Sequence, residues 1–209
     1  MLTKKKVGEV MDRLYQEYPD AHCELFHGSS FELLVATILS AQTTDKKVNE
    51  VTSKLFKRYN TPQDFAALSY EELQEEIRQI GLYKNKSKNI IETSRMLLTV
   101  HNGIVPREKE ELVKLPGVGG KTANVVMSNA FGIPAIAVDT HVFRVTNRIG
   151  IIKAKTVEAT EEQLMKKLPK DQWIQAHHTL IFHGRRTCDA KKPKCEICCI
   201  NDRCERVNL

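Results

Sequence analysis

Lys121 stands directly after a turn, Leu115-Pro116-Gly117-Val118-Gly119-Gly120, in which three glycines crowd around one lysine. Pro116 fixes its own φ and discourages helix at Leu115, so a charged helix over Glu108 to Lys114 has to stop there. Gly117, Gly119 and Gly120 admit positive φ and let another backbone approach closely. Thr122, Ala123, Val125 and Val126 then restart a helical pattern. A turn that opens a helix presents bare N–H groups, and a phosphate is their natural guest. A nucleotide-binding P-loop, G-x-x-x-x-G-K-[ST], would need glycine where Leu115 stands and a hydrophobic strand before it; the sequence has neither. The pattern fits a helix-hairpin-helix, whose turn amides grip a nucleic-acid backbone without reading its sequence. A plain corner between two helices leaves three glycines around a lysine unexplained.

Two further groups carry chemistry. Asp139 sits at a helix entrance, ahead of Val142, Val145 and Ile149, where a capping role is the ordinary one for aspartate. Cys188, Cys195, Cys198 and Cys204 are spaced C-x6-C-x2-C-x5-C. Four thiolates this close in sequence can close around a small inorganic core. Four cysteines also make a tetrahedral zinc cage, but zinc frameworks usually bring two C-x2-4-C knuckles, and only the middle pair has that form. The spacing therefore favours an iron–sulfur cluster. Cys199, next to Cys198, points elsewhere, and Cys23 reads as a small core residue. Arg185, Arg186, Lys191, Lys192 and Lys194 surround the first ligand, so a stapled loop would present basic side chains to phosphates; a solvated charge run is the plainer alternative.

The elements that must hold these residues read as helices. Val7, Val10, Met11, Leu14, Tyr15 and Tyr18 give an amphipathic first helix closed by Pro19. Ser29-Ser30-Phe31-Glu32 is a capping box before an apolar helix whose hydrophobic breadth marks it as central. After the polar break Leu39 to Asp45 comes a helix with Val48, Val51, Leu55 and Tyr59 on one side. Thr61-Pro62 and Ser69 to Glu72 start two more, the second ended by Ile80-Gly81; Lys86 to Val100 is helical again. Thr156 to Leu168 and Gln172 to Phe182 complete the set, and Cys188 onward is loop. Only Ile133 to Val138 looks extended, and no run of alternating β-branched residues is long enough for a sheet. Glu71 to Tyr83 faintly parallels Glu110 to Gly119, as a degenerate second hairpin or by chance. With 209 residues, 32 basic against 26 acidic side chains and a formal charge of +6, the chain is long enough for a real core and leans toward an anionic partner. No signal peptide or membrane span is legible, which makes a cytoplasmic protein the expectation.

Taken together, Leu115 to Ala123 (L-P-G-V-G-G-K-T-A), Val138 to Arg144 (V-D-T-H-V-F-R), Leu39 to Asp45 (L-S-A-Q-T-T-D) and the cysteine tail resemble endonuclease III, over almost the whole chain. That family belongs to the helix-hairpin-helix DNA glycosylases. The resemblance implies an all-α protein of two helical domains flanking a DNA-binding cleft. One would be a six-helix domain, about residues 23 to 134, with the hairpin at about 108 to 131. The other would join residues 1 to 22 with 135 to 209 and hold a 4Fe-4S cluster on loop 188 to 204. It implies Lys121 as nucleophile and Asp139 as essential carboxylate, and the four cysteines as cluster ligands. Gln42 matches a residue that fills the gap left by a flipped base, and Leu82 an apolar wedge at the opposite strand. Gly117, Gly119 and Gly120, with His141, Arg186, Lys191 and Lys192, stand as further DNA contacts. The implied activity is that of a bifunctional N-glycosylase and AP lyase acting, as a monomer, on duplex DNA with oxidised pyrimidines or abasic sites; when bound, it would be nucleoid-associated. An adenine-mismatch glycosylase shares core and cluster but lacks a lysine at the nucleophile position and carries a further C-terminal domain. A scaffold that only clasps DNA gives Lys121 and Asp139 no joint purpose.

Overall fold

The computed structural model describes residues 1–207, and among them there is no β-strand. In chain order the helices are α1 (Lys4–Glu17), α2 (Ser30–Ser40), α3 (Asp45–Leu55), α4 (Pro62–Ala67), α5 (Tyr70–Ile77), α6 (Tyr83–Val100), α7 (Lys109–Leu112), α8 (Gly120–Phe131), α9 (Thr140–Ile149), α10 (Val157–Lys167) and α11 (Trp173–Arg186), with 3-10 turns at Lys170–Gln172 and Cys195–Ile197. The chain divides into two compact units, Cys23–Ile133 and Met1–His22 with the chain from Pro134 onward.

The unit Cys23–Ile133 is built around α2, whose residues Phe31 and Leu33 to Leu39 are all buried. Helices α3, α6 and α8 pack on it. Its seven helical segments, α2 to α8, exceed the six expected, and α7 is a single turn because Pro116 stops the chain soon after it. Side-chain caps start most of these helices. Thr61 with Asp64 and Ser69 with Glu72 form complete capping boxes. At α2 only half of the box appears. Ser29 Oγ accepts the Glu32 amide at 3.1 Å, but the Glu32 carboxylate takes the Gly28 amide at 2.5 Å instead of the cap's own. Helix α5 ends at Ile77, short of Ile80-Gly81, because a turn closed by Ile80 N–H to the Ile77 carbonyl at 2.8 Å drops Ile80 into the core. Helix α6 begins at Tyr83, earlier than the sequence suggested.

The other unit closes both ends of the chain over one core. Val7, Val10, Met11 and Leu14 of α1 join Val142, Val145 and Ile149 of α9 and Ala176, Leu180 and Phe182 of α11. Helix α11 runs to Arg186, past Phe182, and its last turn holds His183, Arg185 and Arg186, cations that suit the negative end of a helix. Ala135 to Val138 is buried chain without regular secondary structure. No helix among the described residues is long and apolar enough to cross a membrane.

Candidate active-site residues and the cysteine pocket

The hairpin consists of α7, a turn and α8. Gly117 has φ 79°, and a Cβ there would lie 2.7 Å from Asn89 Nδ2 and 2.9 Å from Asn89 Cβ, so only glycine fits. Of the three glycines able to take positive φ, only Gly117 does so. A Cβ on Gly119 would meet nothing within 4 Å. What that glycine does is cap α8 without a side chain, leaving the helix's first amides uncovered. Leu115 and Val118 anchor the turn in the core, while Gly119, Gly120 and Lys121 are exposed. The hairpin thus places a free-standing lysine beside open amides, which suits an anion.

Two more loops of this unit meet near the start of α6. Gln42 and Leu82 are both non-glycine residues in the left-handed region, φ 55° and 60°, a conformation that costs roughly 1–2 kcal/mol each. Both side chains are exposed, Leu82 to 56 %. The loops touch: a Cβ on Gly81 would lie 3.8 Å from the Gln42 carbonyl oxygen and from Thr43 Oγ1. An apolar side chain held out to solvent in a strained turn is poorly explained by stability and well explained by contact with a ligand.

In the other unit, Asp139 is the N-cap of α9. Its Oδ1 accepts the Val142 amide at 2.8 Å, so the capping role is met. His141, half-buried, packs on Gly184 and lies 3.3 Å through Nδ1 from Arg144 Nη2. Cys188, Cys195, Cys198 and Cys204 line one pocket with Arg148, His183 and Ile200. Cys199 does not line it; its Sγ turns to the Arg13 carbonyl at 4.0 Å. Cys23 is half-buried against the core of its own unit. Lys191 and Lys192 are exposed, and their amides donate to Asp189 Oδ1 at 2.9 and 3.3 Å, which shapes the loop. Arg186 is less open than its sequence position suggested. It forms a two-pronged pair with Asp20 at 3.0 and 2.8 Å and stacks 4.2 Å from the Phe182 ring. The pair is exposed, so a phosphate could displace it at small cost.

Residues 35–170 match the family described as HhH-GPD superfamily base excision DNA repair protein. The chain belongs to the HhH-GPD superfamily. It is 52% identical over 205 residues to endonuclease III of Bacillus subtilis, covering 98% of this chain and 94% of the relative. It is 50% identical to the Escherichia coli K12 endonuclease III, covering 98% and 97%. Among solved structures, a trapped endonuclease III–DNA covalent intermediate superposes with TM-score 0.95 at 51% identity, covering 99% of this chain and 97% of that one. A thermostable thymine-DNA glycosylase superposes with TM-score 0.84 at 27% identity, covering 97% and 96%. Within the superfamily this chain groups with endonuclease III, and it is a bifunctional DNA glycosylase and AP lyase of base excision repair.

Several residues that position the site of this HhH-GPD chain went unassigned in the sequence. From Leu82, the N-cap of α6, the residues Lys86, Asn89 and Thr93 follow at helical spacing along the helix. Lys86 Nζ donates to the Leu39 and Ala41 carbonyls beside Gln42, at 2.9 and 2.6 Å. Asn89 abuts Gly117, and Thr93 Oγ1 donates to the Pro116 carbonyl at 2.8 Å. One stripe of one helix therefore ties together Leu82, the Gln42 loop and the hairpin. A lysine at helical spacing among otherwise uncharged residues was the only signal available. Around the cysteines, Arg148 Nη1 donates to Cys188 Sγ at 3.4 Å and to the Asp189 carbonyl at 2.7 Å, and Arg144 Nη2 donates to the Gly184 and Cys188 carbonyls, both at 2.9 Å.

The donor set fits a polynuclear core. Burial first, and then neighbouring cysteines (Cys204, Cys188 and Cys195 for Cys198; Cys188 and Cys195 for Cys204), push these two thiols up from their ordinary value. Four cysteines lining one pocket are a donor set that fits a four-thiolate cluster.

Proposed function

We propose that this enzyme excises oxidised pyrimidines from duplex DNA, with Lys121 as nucleophile and Asp139 as the essential carboxylate, and that Cys188, Cys195, Cys198 and Cys204 hold a 4Fe-4S cluster. The observation that carries the proposal is the exposed Lys121 beside uncapped amides on the Gly117 hairpin. The relative trapped on DNA as a covalent intermediate supports it.

The damaged base first leaves the stack, which costs less when its pair is already distorted. Gln42 and Leu82 enter the space it vacates and the opposite strand, and the exposed, strained setting of both favours that use. The hairpin amides hold a phosphate beside the lesion. Lys121 Nζ, in its neutral form, attacks C1′ of the deoxyribose; the C1′–N bond breaks and the base leaves with that electron pair, taking up a proton. Opening of the sugar ring gives an iminium between Nζ and C1′. That cation acidifies C2′; loss of a C2′ proton and rupture of the C3′–O bond cut the strand by β-elimination. Water then hydrolyses the imine and frees Lys121. Asp139 serves the first step, by taking the amine's proton or by countering positive charge on the sugar. A 4Fe-4S cluster, when bound, supplies a rigid knot of four thiolate bonds; the chain around it presents Lys191 and Lys192 to phosphates. On this reading the protein works as a monomer on DNA in the cytoplasm.

Borohydride trapping is the test. The wild-type protein should cross-link to duplex DNA containing thymine glycol. Lys121→Gln should give no cross-link and no strand cleavage while still binding the duplex. A cross-link that persists in Lys121→Gln would end Lys121's claim.

A further inference from the structure

Lys86 is a buried lysine, 4 % exposed, and each of its three recorded hydrogen bonds goes to a neutral oxygen of one turn. Its Nζ donates to the Leu39 carbonyl at 2.9 Å, the Ala41 carbonyl at 2.6 Å and Thr43 Oγ1 at 3.2 Å. Those bonds use the full donor capacity of an ammonium. Burial pushes the Lys86 pKa down, the mark of a charge kept out of water at a cost. A methionine would fill the same volume without that cost. Part of the return is ordinary, since a cation satisfies carbonyls at the end of α2. Helix capping alone, however, does not account for what the three bonds enclose. They bracket Gln42 on both sides and fix it at φ 55° with its side chain outside. The turn that the ammonium fixes also abuts the residue before Leu82, since a Cβ on Gly81 would lie 3.8 Å from the Gln42 carbonyl oxygen and from Thr43 Oγ1, the latter an acceptor of Lys86 Nζ.

We propose that Lys86 is the positioning residue for both strand-probing side chains: its ammonium fixes the Leu39–Thr43 turn and its own helical turn begins at Leu82, so Gln42 and Leu82 enter DNA as one preformed pair. This rests on the proposed entry of Gln42 and Leu82 into the duplex. Two loops whose backbones are fixed before binding spare the complex the entropy of ordering them on contact, and losing that advantage weakens lesion binding by about tenfold.

The experiment uses the full-length protein and a duplex with a tetrahydrofuran abasic analogue opposite 2-aminopurine, whose fluorescence rises when the base is unstacked. Lys86→Met should bind this duplex about tenfold more weakly, with a smaller fluorescence rise. Its affinity for undamaged duplex should be unchanged, and Lys86→Arg should recover most of both signals. In a Gln42→Ala, Leu82→Ala background, adding Lys86→Met should cost nothing more, because nothing is left to position. An equal further loss in that background would assign Lys86 to general stability and overturn the proposal, as would full lesion affinity in Lys86→Met alone. If Gln42→Ala, Leu82→Ala itself binds the lesion duplex like wild type, the entry of those side chains is refuted and the Lys86 role falls with it. Should Lys86→Met fail to fold, Thr43→Val removes one of the ammonium's acceptors and is held to the same two comparisons.

Discussion

Asp139 has two jobs to offer on one side chain, and they separate by mutation. As the cap of α9 it needs only an oxygen able to accept the Val142 amide, which asparagine also provides. As the carboxylate of the proposed reaction it needs a negative charge, which asparagine lacks. Asp139→Asn should therefore leave the melting temperature nearly unchanged and slow single-turnover base release by roughly a hundredfold or more, the scale of a lost acid–base group. Equal rates in the two proteins would return Asp139 to capping alone. The sequence could not apportion these duties, because aspartate at a helix entrance looks the same whether or not it meets a substrate. The glycines around Lys121 divide: Gly117 is required by its own φ and by Asn89, whereas a Cβ on Gly119 would meet nothing within 4 Å, so packing does not explain that glycine.

Helix α6 and the hairpin form one device, since Asn89 and Thr93 of the helix hold Gly117 and Pro116 of the turn. Gly117→Ala should cost about 1–2 kcal/mol for its left-handed φ alone, before Asn89 is displaced. The hairpin should loosen accordingly, and affinity for undamaged duplex should fall, as measured by anisotropy. Gly119→Ala has open space and no backbone strain, so a loss of DNA affinity there is the outcome expected if the proposed phosphate site lies at the start of α8. The cysteine loop makes the companion case. Cys198→Ser should abolish the visible absorption of an iron–sulfur centre, whereas Cys199→Ser, whose sulfur turns away to Arg13, should keep it. Much of this was readable in the chain: caps at Thr61 and Ser69, the glycine turn and the cysteine spacing are local signals. The α6 stripe was not, because Lys86 finds Leu39 across 47 residues and Thr93 finds Pro116 across 23. No local pattern encodes such a partner. Nor could spacing announce that Arg148 would reach Cys188 Sγ or that Arg186 would lie on Asp20.

Over the whole molecule, acid acts on the unit made from both chain ends. Helix α11 carries His177, His178 and His183 into that unit's core, where all three are buried. Burial, and secondarily the charge of His22, lower the His178 pKa from 6.5 to about 4. The native state thus holds His178 neutral while the unfolded chain protonates it below about 6.5, so the unfolded state binds more protons across that interval. Stability is full above about 6.5, falls as the pH drops toward 4, and loses nothing further from this group below that value. The loss is on the order of 3 kcal/mol at most, from the size of the shift. His178→Gln cannot gain the proton and should show a shallower decline over the same range, although carboxylates elsewhere titrate identically in both proteins. Trp173, the single tryptophan, begins the same helix, so its fluorescence in urea titrations follows the unit that contains His178. Titrations at pH 7.5, 6, 5 and 4.5 would compare the two proteins directly. Parallel wild-type and His178→Gln curves would mean that His178 is already protonated in the native core, and that acid opens this unit through other groups.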